Sequence, residues 1–350
     1  MTPRPDVDVL VVGGGPVGLA AALEAHAAGR SVLVVEPRQG PVDKACGEGL
    51  MPGAVAGLAR LGVDPPGRRL AGIAYVGGTR RAEHRFAGPG GRGVRRTVLA
   101  AALGDRVAER GIERRAGRVT GIEQGPDGVR LAGPGVDGLT AGWVLACDGL
   151  HSTVRRLAGL EVPERPRAVG RRRYGLRRHY RLAPWTDLVE VHWGRDVEAY
   201  VTPVAPDLVG VAVLGPAPLD LDRALQGLPE LAGRLAGAEH DGPVRGAGPL
   251  RQRTRARTAG RVRLVGDASG YVDALTGEGL RLGLAQAHAA VAHLEDPHAY
   301  ERAWSAATRD YRALTTTLVA VATSPLRGAL VPAAVRAPWL FAAGVERLAV

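Results

Sequence analysis

The sequence predicts an α/β fold: a doubly wound, mostly parallel nucleotide-binding sheet, an inserted antiparallel sheet and a helical C-terminal tail. Three observations carry this. An apolar run over residues 7–12 breaks into Gly13, Gly15 and Gly18, followed by a helix pattern from Pro16 and a second apolar run, 31–35, that ends in Glu36. Two more apolar runs, far along the chain, end in Asp148-Gly149 and Gly266-Asp267. Between them, residues 166–213 alternate in the manner of an antiparallel sheet with one wet face.

The first forty residues carry the clearest chemistry. Gly13 permits a tight strand-to-helix turn, Gly15 lets backbone approach a pyrophosphate, and Gly18 lets helix and strand pack closely. Pro16 opens the helix, whose N-terminus offers free N–H groups and a positive dipole end to phosphates. Glu36 is placed to accept hydrogen bonds from an adenosine ribose. With 50 glycines in the chain, the glycine spacing alone is weak; the full strand–glycines–helix–strand–acid order is not. Three Gly/acid strand ends imply one long ligand spread across the carboxyl edge of the sheet.

Length and composition set bounds. A chain of 350 residues can bury a sizeable core. The net charge of +11 comes almost wholly from arginine, Lys44 being the one lysine. These arginines are scattered and aromatic residues make up only 4%, so no nucleic-acid surface is expected. Cys46 and Cys147 are too few for a disulfide framework and lack metal-type neighbours, so a reducing, cytoplasmic location and no metal are expected. Arg327, Arg336 and three prolines interrupt the apolar tail, which makes a membrane span unlike it.

Further elements follow in order. Residues 37–53 form a Gly/Pro-rich crossing containing Lys44-Ala-Cys-Gly-Glu-Gly-Leu50. Helix patterns cover 52–61 and 96–110, with two short strands between 70 and 87 and a turn or loop at 88–93. Strands are expected at 168–181, 188–193, 198–204 and 208–214, helices over 219–236, and a long helix from Gly279. The division this implies is a discontinuous nucleotide-binding domain (1–70, 92–165, 250–300), a substrate sheet (71–91, 166–249) and C-terminal helices (301–350).

A resemblance now becomes visible. Ala146-Cys-Asp-Gly-Leu-His-Ser-Thr-Val-Arg155 resembles the D-G motif of the p-hydroxybenzoate-hydroxylase-like flavoproteins, and Leu264-Val-Gly-Asp-Ala-Ser-Gly270 their G-D motif. Val272-Asp-Ala-Leu-Thr-Gly-Glu-Gly-Leu280 and Cys46-Gly-Glu-Gly-Leu50 are similar to the geranylgeranyl-reductase branch, with Ala274 where that branch has Pro. The resemblance implies a Rossmann-like FAD-binding domain. By it, Glu36 holds the adenosine ribose, Gly13, Gly15 and Gly18 the pyrophosphate, and Arg96 packs on the FAD. It places Asp267 on the ribitol, Gly277 and Gly279 at the isoalloxazine, and Asp148 near the pyrophosphate or the nicotinamide path.

The same resemblance makes Cys46 flavin-proximal and the one catalytic candidate, lets Lys44 reach a phosphate, and has Gly266 and Glu278 shape the flavin loops. Tyr200 and Pro203 are what remains of a substrate-site motif whose Trp and Phe are missing, which speaks against prenyl-lipid reduction. The implied activity is an FAD-dependent, NAD(P)H-driven monooxygenase of a small or medium organic substrate, with O2 as co-substrate and a monomer or homodimer as the working form. Reduction of a C=C bond is the alternative, and a non-catalytic lipid-escort protein a remote third. The halogenase W-x-W-x-I-P motif is absent. Among the remaining residues, Cys147 is expected in the core and His151 at a cap or on the surface. A solvated face is expected for the arginines at 171–173, 177, 178 and 181.

Overall fold

The computed structural model describes residues 4–163 and 172–349. Its main sheet has a parallel core in the order Val262–Leu264, Thr140–Ala146, Val7–Val12, Val32–Glu36, Glu113–Ala116. The Val7–Val12 strand sits in the middle and is buried on both sides. Val9 and Val11 pack into one core with the Pro16–Ala27, Arg96–Glu109 and Gly279–Ala292 helices. Leu10 and Val12 pack into a second core with the Gly121–Gly125/Gly128–Ala132 hairpin. That two-sided burial is why the strand reads as a continuous apolar run rather than an alternation.

The second sheet has seven strands in the order Glu239–Ala247, Arg173–Arg181, Leu208–Pro216, Glu198–Ala205, Leu188–Trp193, Gly72–Gly77, Arg80–Arg85. Helices Leu221–Gln226 and Pro229–Leu235 bury one face of it. The other face looks toward the main sheet and the C-terminal helices, where Ile73, Val189, Val191 and Trp193 pack with Leu275, Val331 and Val345. The Glu239–Ala247 edge strand is not visible in the sequence pattern. Nearly all of it is exposed, so Glu-His-Asp-Gly-Pro-Val-Arg-Gly-Ala carries no apolar alternation.

Residues 88–93, expected to be a loop, end in a short strand, Gly91–Gly93, between Gly49–Leu50 and Arg68–Leu70. A Cβ on Gly93 would lie 1.7 Å from the Pro203 carbonyl oxygen, so glycine here answers to a close strand crossing. The 26-residue Pro297–Ala322 helix runs back across the molecule. Tyr300, Trp304, Thr308, Tyr311 and Thr315 form its buried stripe at spacings of three and four. Helices Leu330–Arg336 and Pro338–Ala349 then fold over the second sheet.

Candidate flavin and substrate site

The turn after Val12 is built as its glycines require. Gly13 has φ +108°, and its N–H donates to Val35 O at 2.8 Å. A Cβ on Gly18 would stand 1.9 Å from Gly13 O, so helix and strand touch at backbone distance. Gly15 caps the Pro16–Ala27 helix with no side chain to satisfy the first N–H groups, leaving them for a ligand. Glu36 is buried, and its Oε2 accepts from Gly14 N–H at 2.9 Å while Arg38 holds both oxygens. Burial alone would raise its pKa; the Arg38 and Gly14 donors outweigh it and keep the group a carboxylate.

One cavity of about 1440 Å³ runs from this turn to the C-terminal helices. A drug-sized ligand needs about 300–1,000 Å³, so there is room for a dinucleotide and a second molecule. Gly13, Gly15, Pro16, Glu36, Lys44 and Arg96 line its first part; Cys46, Asp148, Gly266, Asp267, Gly277 and Gly279 line its middle. Beyond them Ile73, Tyr75, Val189, Val191, Tyr200 and Leu214 form an apolar chamber. Strand register puts Gly175, Ala212, Tyr200, Val191 and Tyr75 on one face of the second sheet, the chamber roof.

Lys44, Arg96 and Asp267 form the electrostatic middle. Burial lowers the Lys44 pKa, and the neighbouring Arg38 and Arg96 charges lower it further. Burial raises the Asp267 carboxyl, opposed by Arg96, Lys44 and Arg155. Arg96 Nε is buried without a protein partner. Crowded cations beside an uncapped helix N-terminus and a glycine cradle fit a diphosphate, and an acid on the Gly266 turn fits a polyol chain. The residues present therefore fit FAD.

Some expected residues do other work. Gly18 serves packing rather than lining, as do Glu278 and Pro203, neither of which lines the cavity. Glu278 is buried against Arg281 with Oε1 unpartnered, and burial pushes its carboxyl up to about 7 against the pull of Arg281. Pro203 projects from the opposite face of its strand to Tyr200 and Thr202. The Asp148 carboxylate accepts from Ser152 Oγ at 2.5 Å and Val154 N at 3.0 Å, tying down the Thr153–Leu157 helix. Ser152, not His151, caps that helix, and exposed His151 meets Gly248 O at 3.1 Å. Cys147 is buried, and burial pushes its thiol far up. Cys46 Sγ accepts from Glu48 N at 3.4 Å, which keeps the thiol at the cavity.

The solvated arginine face is corrected by the structure. Arg173, Arg177 and Arg178 are buried because each meets an acid from elsewhere in the chain. Arg173 pairs with Glu198 and, at 2.9 Å, with Asp273; Arg177 pairs with Asp43 and Arg178 with Asp222. Arg181 remains half exposed, and residue 171 lies outside the described residues.

Sequence reasoning missed three supports of the site. Fully buried Glu48, at φ +60°, accepts from Arg96 N at 2.9 Å and from His179 Nε2 at 2.6 Å. Arg177 can only donate, so its 3.0 Å contact makes His179 Nδ1 the acceptor and Nε2–H the donor to Glu48. This chain bolts the Cys46 loop to the roof. Glu198 joins Arg173 to Arg327, at 2.7 Å, tying the C-terminal helices to the roof. Arg155 reaches Leu150 O at 3.0 Å and Ala268 O at 3.2 Å, clamping the second and third strand ends together. Arg155 and Glu48 lay within recognisable motifs, though neither was given this role; Glu198 lay in none.

Comparison with known proteins agrees with this geometry. Residues 6–176 match the profile of the FAD binding domain family. The chain is 29% identical over 301 residues to dialkyldecalin synthase of Streptomyces rugosporus, covering 80% of this chain and 63% of that protein. It is 27% identical to digeranylgeranylglycerophospholipid reductase 1 of Methanothermobacter thermautotrophicus, covering 80% and 74%. It is 32% identical over 174 residues to rifampicin monooxygenase of Streptomyces venezuelae, covering 46% and 36%. The chain thus spans less than two thirds of the synthase and about a third of the monooxygenase. Among solved structures, a flavoprotein/dehydrogenase from Cytophaga hutchinsonii superposes with TM-score 0.77 at 18% identity, covering 91% and 86%. p-Nitrophenol 4-monooxygenase of Pseudomonas putida superposes at 0.72 and 22%, covering 99% and 95%; these likenesses show the fold. Residues 6–176, just under half of the chain, thus match an FAD binding domain, in agreement with the glycine cradle and strand-end acids along the cavity.

Proposed function

We propose that the protein is an FAD-dependent, NAD(P)H-driven monooxygenase acting on an apolar organic substrate held in the chamber. The observation that supports this best is the chamber's composition. Its walls are aliphatic and aromatic, and its tyrosines are poor acids: burial raises Tyr200 well above its ordinary value, and Tyr75 is pushed up to about 12. Such walls offer shape and dryness rather than acid–base chemistry, so the redox step must come from a cofactor. Bound FAD would supply two-electron chemistry, taking reducing equivalents from a nicotinamide and passing them to dioxygen.

The chain's own residues bind and orient. Lys44, Arg96 and the helix N-terminus would hold the diphosphate, Glu36 the adenosine ribose and Asp267 the ribitol. Gly277 and Gly279 line the cavity without side chains, so their turn would offer backbone alone to the ring system. Tyr200 donates to Leu275 O at 2.9 Å, fixing that loop against the roof. The C-terminal helices line the far end of the chamber.

Reduction of a C=C bond is the second reading, supported by the reductase relative and by Cys46, a thiol at the cavity able to deliver the proton such a reaction needs. The test supplies the yellow protein with NAD(P)H and a panel of apolar substrates under labelled dioxygen. Incorporation of one labelled oxygen atom is expected. Equal substrate turnover without oxygen, with product two hydrogens heavier, establishes the second reading and overturns the first.

A further inference from the structure

The outer surface of the C-terminal helices does not match their inner surface. On the inside, Val331, Ala334 and Val345 are buried and Phe341 packs on the roof core. On the outside, at the corner where Leu330–Arg336 meets Pro338–Ala349, Trp339 is 73% exposed, Leu340 59% and Val335 43%. Scattered exposed apolar residues are ordinary, but a tryptophan and two aliphatics gathered at one corner mark a contact surface.

Charge gives the contact its chemistry. From 311 to 345 the chain contains no acidic residue, while Arg312, Arg327 and Arg336 are all basic. Arg327 is buried on Glu198, and the Arg312 guanidinium lies over Trp304. Arg336 is exposed at the corner itself and makes no ion pair among the described residues. Glu346, the next acid, is held by His84 at 2.6 Å and Ala87 N at 2.9 Å. A second copy of this chain would set the same basic, acid-free corner against itself. A surface that is anionic outside and apolar beneath matches both features, and tryptophan is suited to its boundary.

The corner is also where the cavity ends. Ala333, Ala337, Leu340 and Ala343, on both sides of the corner, line it. We propose that this corner seats on the surface of an anionic lipid bilayer, with Trp339 and Leu340 inserted and Arg336 at the headgroups. The chamber then opens toward the acyl region and loads its apolar substrate from there. Seating is superficial: no single helix among the described residues is long and apolar enough to cross a membrane. The loading step rests on the proposed reaction; the seat does not, so the two fail separately.

The test is flotation of the FAD-loaded full chain with vesicles of phosphatidylcholine alone or mixed with phosphatidylglycerol, with light scattering to read oligomeric state. Flotation with the mixed vesicles, weakened by salt, is expected. The Trp339→Ser/Leu340→Ser double variant should lose at least ~tenfold in vesicle affinity. Arg336→Glu should remove most of the preference for the anionic mixture. Unchanged flavin absorbance and Tm show that the variants are folded. Protein that stays soluble with both vesicle types, or a double variant that floats like the parent, overturns the proposal. So does a double variant that only turns a dimer into a monomer, since the corner is then a contact between copies.

Discussion

The nucleotide cradle and the chamber roof solve opposite problems. The cradle binds with backbone: its working parts are the N–H groups after Gly13, the close Gly18 contact and a strand-end acid, all within 30 residues. The roof is held by charge: Glu198 with Arg173 and Arg327, Asp273 with Arg173, and Glu48 with His179 are joined across 25 to 131 positions of chain. A backbone site must be made of glycines, which can be read directly. A side-chain site made of distant pairs cannot. The contrast also divides the consequences of damage: a lesion in the cradle should cost cofactor, and one in the roof should cost stability.

The largest effect is expected at Glu198, which is fully buried between two arginines. Glu198→Ala leaves buried Arg327 without its acid and Arg173 with Asp273 alone, and should destabilise by about 3–5 kcal/mol, read by denaturant unfolding. A smaller loss than for an exposed pair would break the distinction drawn for the roof. Gly18→Ala comes next. Its Cβ meets Gly13 O at 1.9 Å, so the turn must open, at a cost of about 3 kcal/mol. Purified protein should be colourless, whereas the folded fraction of a roof variant should stay yellow.

Two buried acids of the same size sharpen the comparison by opposite pH dependence. Burial would raise Glu190, but His192, Arg81 and Trp185 outweigh it and hold it at about 2, below its ordinary 4.5. Its contribution, about 3 kcal/mol, is complete above pH 4.5 and disappears as pH falls toward 2. Glu190→Gln should flatten the acid limb of Tm against pH. Glu278 is the reverse, since burial lifts it to about 7 from 4.5. Its contribution is complete below pH 4.5 and is lost as pH rises to 7, so Glu278→Gln should remove a decline in Tm over that interval. The smallest effect belongs to Arg347 and Asp310, a mostly exposed pair. Arg347→Ala should change stability by under about 0.5 kcal/mol.

Much of the fold was legible for physical reasons. The central strands are buried on both faces and so read as apolar runs, and the Leu188–Trp193 strand falls where the pattern puts it. The Glu239–Ala247 strand was illegible because an exposed edge imposes no apolar alternation. At the site, Gly13, Gly15, Gly266, Asp267, Gly277 and Gly279 line one cavity, while Gly18 packs behind it. The arginines at 173, 177 and 178 misled because an arginine in a strand looks solvated until its acid is found, and Asp273, Asp43 and Asp222 come from three separate segments. Tyr300, Trp304 and Tyr311 were equally hidden. They bond Leu264 O at 2.6 Å, Ser269 Oγ at 2.8 Å and Asp273 O at 3.0 Å, holding the third strand end from a helix that carries no motif.

The central claim is that cradle and chamber are one site, with the cofactor at one end and an apolar molecule at the other. Titrating the FAD-loaded protein with an aromatic probe bearing a prenyl chain, while recording the flavin absorbance bands, tests it directly. The account predicts a saturable spectral perturbation that is lost in Ala212→Phe, which fills the chamber without touching the cradle. A yellow protein whose flavin spectrum ignores the probe, or whose response survives the filled chamber, would contradict it.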